Sequence, residues 1–318
     1  MSNSEKPYVG IDVSKDTLEV ATFPATQPFT LANDEAGWVE LLGHLRRLRP
    51  ALVVLEASGG YQTKAASFLA ADGLPVAVVN PRQVRDFAKS IGELAKTDRI
   101  DAGVIARFAE ATKPEPRPLL DAEAQAFKAL VARRSELVDM RASEKNRLQA
   151  PLSGPAREGI ARHIAWLDAE IEDLEADLDQ RVRSNARWSE KDELLQSVTG
   201  VGPVTSYELL AALPELGWLT GREAAKLIGL APLNRDSGNY HGHRTIWGGR
   251  TEVRCALYMA TVTAVRWNDD LKAFFQGLLA RQVPYKKAMT AAMHKLLLVL
   301  NAVLRRGTPW RPYLRPTP

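Results

Sequence analysis

The sequence predicts an α/β domain over residues 1–118, a coiled-coil helical arm over 119–190 and a mostly α-helical domain over 191–318. Three observations predict this class. Strand and helix signals alternate through the first region. Apolar residues recur at heptad spacing in the second. The third is helical, rich in small residues and basic.

In the first region, Tyr8–Val13 and Thr17–Phe23 are β-rich runs joined by a short polar turn, the pattern of a hairpin. A third strand follows at Phe29–Leu31. Asn33 is placed to cap a helix through Arg47, with Trp38, Leu41, Leu42 and Leu45 at helical spacing. Leu52–Leu55 and Pro75–Val79 are continuous apolar runs, as expected of strands covered on both faces, and a helical stretch follows each. The order β-β-β-α-β-α-β-α fits a mixed sheet of the ribonuclease-H-like kind. Pro114, Pro116 and Pro118 mark its end.

Two long helices are expected over 121–190, separated by Pro151-Leu-Ser-Gly-Pro155. In the second, Ile160, Ile164, Leu167, Ile171, Leu174 and Leu178 are spaced 4, 3, 4, 3, 4, an a/d seam. That seam fits its own partner helix or a second chain equally well.

Composition narrows the class. The chain is 45% apolar and 25% charged, ordinary for a globular protein. No apolar run approaches the roughly 20 residues of a membrane span, and the polar start carries no leader signature, so a cytoplasmic location with no membrane partner is expected. Cys255 is the single cysteine, which excludes disulfide frameworks and cysteine-based zinc sites. Residues 191–318 hold 17 Lys and Arg against 9 Asp and Glu, and no acid follows Asp270. Such an imbalance suits phosphate backbones, or simply a solubilising tail.

Four acids stand out. Asp12 lies near the end of the first strand, and Glu56 directly follows Leu52–Leu55. Asp98 and Asp101 open a helix in Lys96-Thr-Asp-Arg-Ile-Asp, three apart and therefore on one face. Converging carboxylates are the ligands of hard cations such as Mg²⁺, and two such ions about 3.5–4 Å apart serve phosphoryl transfer. Taken singly, each acid has a plainer reading: a strand end, a surface residue, a helix cap.

In the basic region, Gly200-Val-Gly-Pro203 reads as a helix-hairpin-helix-like turn, with Gly200 and Gly202 exposing backbone N–H groups to phosphate, or as an ordinary tight turn. The Gly-dense basic stretch 236–250 reads as a loop that combines Ser237-Gly with His241, His243, Arg244 and Arg250, and Arg254 follows. Serine as nucleophile needs cations around the phosphate it attacks. Ser237 reads equally as a turn residue. The two histidines lack a third ligand and read as phosphate contacts or loop residues.

These motifs together resemble the DEDD-type insertion-sequence transposases, the insertion-sequence one-hundred-and-ten family, also called bridge-RNA-guided recombinases. The resemblance rests on Val9-Gly-Ile-Asp-Val-Ser-Lys-Asp, Glu56-Ala-Ser-Gly-Gly-Tyr61, Val79-Asn-Pro-Arg-Gln-Val, Lys96-Thr-Asp-Arg-Ile-Asp-Ala, Gly200-Val-Gly-Pro, Ser237-Gly, Gly248-Gly-Arg and Val253-Arg-Cys-Ala-Leu-Tyr-Met-Ala. It implies that Asp12, Glu56, Asp98 and Asp101 bind Mg²⁺ in a RuvC-like domain. It implies that Ser237 forms a covalent phosphoserine link to DNA, while the turn and the basic stretch themselves suggest Gly200, Gly202, Arg244, Arg250 and Arg254 as nucleic-acid contacts. Donor and target DNA, a non-coding bridge RNA, and a homodimer assembling to a tetramer are the partners it implies. The alternative is a RuvC-like nuclease or Holliday junction resolvase that uses the acids without the serine. An actin-like ATPase is disfavoured, because the helical second half lacks its duplicated glycine-rich sheet domain. A non-enzymatic nucleic-acid-binding protein would need only the basic half.

Overall fold

The computed structural model describes residues 6–24, 27–93, 98–116, 121–151, 153–232, 236–237, 240–241 and 245–312, with backbone alone at 98–100, 236–237 and 240–241. The chain divides into two compact units, Met1–Asp121 and Ala122–Pro318.

The first unit is a five-stranded mixed sheet. Its strands are β1 (Tyr8–Val13), β2 (Thr17–Phe23), β3 (Phe29–Ala32), β4 (Leu52–Glu56) and β5 (Val76–Val79), in the order β3-β2-β1-β4-β5. The first three pair antiparallel, and β1–β4 and β4–β5 pair parallel. Pro75 lies outside β5, where its carbonyl still accepts from the Val53 N–H at 2.8 Å.

Four helices cover the sheet: α1 (Glu35–Leu48), α2 (Gln62–Ala71), α3 (Pro81–Ser90) and α4 (Asp98–Thr112). Alternation along each strand divides the core in two. Val9, Ile11, Val13, Leu18, Val20, Val53 and Leu55 pack with Leu41, Leu45 and Leu69 of α1 and α2. Leu52, Val54, Ala77 and Val79 pack with Val84, Val104, Ile105 and Phe108 of α3 and α4.

The cap of α1 is Asp34, one residue beyond the expected Asn33. The Asp34 carboxylate accepts from the Gly37 N–H at 2.8 Å. Asn33 is engaged elsewhere. Its amide donates to the Ser14 carbonyl at 2.9 Å and to the Tyr61 carbonyl at 3.4 Å, and its oxygen accepts from the Trp38 indole.

The second unit is helical. In the hairpin of α5 (Ala122–Arg147) and α6 (Gly154–Ser184), the seam residues Leu167, Ile171 and Leu178 are buried, while Ile160, Ile164 and Leu174 are half-buried. Leu167 and Ile171 pack on Leu137, and Leu178 on Phe127 and Val131. Arg134–Glu175 and Arg141–Asp168 pairs flank the seam. The helix expected to run to 190 breaks at Asn185, whose side chain caps α7 (Ala186–Gln196) by accepting from the Arg187 and Trp188 N–H groups.

Helices α8 (Pro203–Ala212), α9 (Gly221–Leu227), α10 (Thr251–Trp267), α11 (Asp269–Ala280) and α12 (Tyr285–Arg306) follow. Between α9 and α10 lies a two-stranded ribbon of β6 (Asp236–Ser237) and β7 (Tyr240–His241). By length and composition α12 could cross a membrane, but Leu296, Leu297 and Leu300 are fully buried against α7–α10, and its apolar side is core.

Candidate functional site

The acidic positions of the first unit follow from register. The β1–β4 pairing ends at Ile11 opposite Leu55, so Asp12 and Glu56 are the next residues on adjacent parallel strands, about 4.8 Å apart by strand spacing. Alternation sets Asp12 with Gly10, and Glu56 with Val54, on the face covered by α4. Both are half-buried.

Gly10 sets how closely α4 approaches. A Cβ there would stand 2.3 Å from the Ala106 nitrogen and 2.4 Å from the Ala102 carbonyl oxygen, so helix backbone lies directly on strand backbone. Along α4, Ala102, Ile105, Ala106 and Ala109 are fully buried. Positions 98 and 101 continue that stripe toward the helix start. Asp101 is half-buried and directly precedes the residue that Gly10 meets. The side chain of Asp98 lies outside the described residues.

The structure adds two residues to this end of the sheet. Glu19 lies directly opposite Asp12 across β1–β2, on the same face. Its Oε1 accepts from the Thr30 hydroxyl at 2.7 Å, while its Oε2 is buried with no hydrogen-bond partner. Alternation within Thr17–Phe23 could have flagged it, since Leu18 and Val20 face the opposite core. Asn33 is the other: through Ser14 and Tyr61 it ties the turn after Asp12 to the loop after Glu56. No local signal marks that role.

A divalent cation fits this end of the sheet by chemistry. The donors are all carboxylate oxygens, the preference of Mg²⁺, and an orphaned buried oxygen on Glu19 is the kind of group a cation satisfies. Among the described residues, no group of three or more His, Cys, Asp or Glu side chains is arranged to hold an ion.

In the second unit, Gly200 and Gly202 differ. Gly200 has φ +105°, and a Cβ there would stand 2.6 Å from the Ala264 Cβ, so it serves packing on α10. Gly202 begins α8, and a Cβ there would meet nothing within 4 Å. The Asn268 amide donates to the Thr199 carbonyl and ties this turn to the end of α10.

Both described arginines are engaged with protein. Arg250 makes two bonds of 2.7 Å to the Glu215 carboxylate and one to the Ala212 carbonyl. Arg254 donates to the Ile228 and Gly248 carbonyls at 2.9 and 2.6 Å. Ser237 pairs with Tyr240 in the ribbon backbone. The Ser237 and His241 side chains lie outside the described residues, as do His243 and Arg244.

Two neighbouring groups on α8 are perturbed by burial and charge. Burial, then Asp179 and Asp192, push the Tyr207 hydroxyl up to about 12. Burial and the neighbouring Glu252 raise Glu208 above the usual carboxylate range, partly offset by Arg134. These groups lie between helices and mark packing, not a cleft.

Comparison with known proteins agrees with the motifs. Residues 9–154 match the DEDD-type IS110 transposases, and residues 192–276 match the transposase IS116/IS110/IS902 family. The pilin gene-inverting protein of Moraxella lacunata is 28% identical over 316 residues, covering 96% of this chain and 98% of that protein. The pilin gene-inverting protein of Moraxella bovis matches to the same extent. The transposase for insertion sequence element IS1111A of Coxiella burnetii is 23% identical over 348 residues, covering 95% of this chain and 91% of its own length. The chain belongs to the IS110/IS116/IS902 family of transposases.

Proposed function

We propose that the chain cuts and rejoins donor and target DNA through a carboxylate-bound divalent cation and a covalent serine link, guided by a non-coding bridge RNA. The observation that carries this reading is the placement of Asp12 and Glu56 at neighbouring strand ends beneath α4. The strand order β3-β2-β1-β4-β5 supports a RuvC-like domain.

Asp12, Glu56, Asp98 and Asp101 would hold Mg²⁺, which supplies charge stabilisation at the phosphate when bound. The remaining steps fall to the chain. The Ser237 Oγ attacks a DNA phosphorus as its proton passes to a base. One bridging P–O bond breaks, and the departing deoxyribose oxygen takes up a proton. The hydroxyl of an exchanged strand then attacks the phosphoserine and releases Ser237. One P–O bond forms and one breaks in each step, so no external energy source is needed. Base pairing to the RNA would choose the sites, leaving the protein mainly backbone contacts.

Insertion and inversion are outcomes of the same chemistry, differing in whether the two sites lie on one DNA molecule. The names of the Moraxella relatives favour including inversion. Assembly as a homodimer and then a tetramer would bring two pairs of strands together.

The test is recombination of the DNA flanking the gene, with its transcribed non-coding region supplied. The expected result is loss of strand exchange in both Ser237→Ala and Asp12→Asn, with a Ser237-linked DNA peptide recovered from the wild type. Full recombination by Ser237→Ala leaves the nuclease reading and overturns the covalent one.

A further inference from the structure

The serine-bearing segment leaves and re-enters the helical core at one point. The chain departs α9 at Ile228–Gly229 and returns to α10 through Gly248–Gly249. The two feet touch through backbone. A Cβ on Gly229 would stand 2.0 Å from the Gly248 carbonyl oxygen, and one on Gly249 would stand 2.3 Å from the Gly229 nitrogen. All three glycines have φ near +70° (+71°, +72° and +70°), a left-handed conformation that side chains rarely adopt.

Arg254 locks this crossing. One of its guanidinium nitrogens donates to the Ile228 carbonyl on the departing foot and to the Gly248 carbonyl on the returning foot. A second nitrogen donates to the Thr251 hydroxyl at 3.2 Å. The Arg250 N–H donates to the Leu227 carbonyl at 3.0 Å, and the Arg250 side chain grips Glu215 and Ala212. Leu230 is buried beside one foot, and Ile246 packs on the same core beside the other. Hydrogen bonds donated by a cation are the strong ones, and a rigid planar guanidinium fixes direction as well as distance.

We propose that Arg254 is a positioning residue for Ser237: by clasping the two feet of the segment at the Gly229/Gly248–Gly249 crossing, it fixes where the ribbon of β6 and β7 presents the serine. The proposal rests on Ser237 being the nucleophile. It gives Arg254 a role that precludes using the same N–H groups on phosphate.

The test uses the full-length chain with the DNA flanking its gene and the transcribed non-coding region, comparing wild type, Arg254→Met and Arg254→Lys. Two readouts are taken. Hydrogen exchange is followed without DNA at the amides of 236–241, and the rate of Ser237–DNA adduct formation is measured across DNA concentrations. In Arg254→Met, the ribbon amides are expected to exchange faster while those of α10 and α12 do not. The adduct rate at saturating DNA is expected to fall about 100-fold, the cost of roughly 1 Å of misplacement. Half-saturation should stay unchanged, which separates positioning from phosphate binding. Arg254→Lys keeps a cation and at least one donor for the crossing, and should recover part of the rate. It also serves as the working variant if Arg254→Met fails to fold, a tenfold or larger loss being the expected result there.

A saturated adduct rate equal to wild type in the folded variants overturns the inference. So does a loss that appears only in half-saturation. Absence of any Ser237 adduct in the wild type overturns the serine reading and this inference together. A normal wild-type adduct with an unaffected Arg254 variant overturns the inference alone.

Discussion

Replacing Gly10 by alanine tests how the acidic end of the sheet is assembled. The added Cβ would lie 2.3 Å from the Ala106 nitrogen and 2.4 Å from the Ala102 carbonyl oxygen, where ordinary contact begins near 3.4 Å. Strand or helix must therefore withdraw by about 1 Å, and neither contact is a side chain able to rotate away. Overpacking of this kind costs typically 1–3 kcal/mol, and a backbone-on-backbone clash belongs at about the upper end. The same withdrawal separates Asp101, beside Ala102, from Asp12, two residues along β1. A shift of about 1 Å at reacting groups costs on the order of 100-fold in rate. Urea denaturation reads the first effect and strand exchange on the flanking DNA reads the second. Gly10→Ala is expected to be folded, less stable by about 3 kcal/mol, and nearly inactive. Wild-type stability with activity within threefold of wild type would show that α4 does not rest on β1 at Gly10.

Leu167→Ala removes a fully buried seam residue packed on Leu137, and should cost 2–5 kcal/mol in urea denaturation. A loss of under about 1 kcal/mol contradicts that burial. Glu208→Gln addresses pH. A carboxyl raised by burial and Glu252 favours folding in its neutral form, a contribution present at low pH and lost as pH rises through the raised value. The glutamine variant should melt higher than wild type near neutral pH, with the gap closing below about pH 4, where glutamate is neutral in the unfolded chain too. A pH-independent gap excludes the ionisation as its cause.

Much of the fold was legible because its signals are local. Apolar runs bounded by turns predict the five strands of the first sheet, and the heptad spacing of Ile160–Leu178 predicts the long helix, whereas the ribbon of β6 and β7 falls in a stretch that reads as a loop. Local signals failed where a long-range partner decides. Asn33 has the chemistry of a helix cap, yet bonds to Ser14 and Tyr61 draw it away, and Asp34 caps instead. Gly10 reads as an unremarkable strand residue until α4 lies against it. Arg250 and Arg254 sit in a basic stretch, and charge alone suggested phosphate. Their partners are Glu215, the Thr251 hydroxyl and three backbone carbonyls, most of them remote in sequence or hidden in a glycine turn. Glu19 was readable from alternation, but only its place opposite Asp12 gives that alternation meaning.

In the proposed mechanism Asp12 and Glu56 hold a divalent cation at the strand ends beneath α4. A crystal structure of the full chain grown with Mn²⁺, with anomalous data, measures this directly. An anomalous peak within coordination distance of both carboxylates is expected, absent in Asp12→Asn/Glu56→Gln. A fully occupied Mn²⁺ site elsewhere, or the same peak in the double variant, would contradict it.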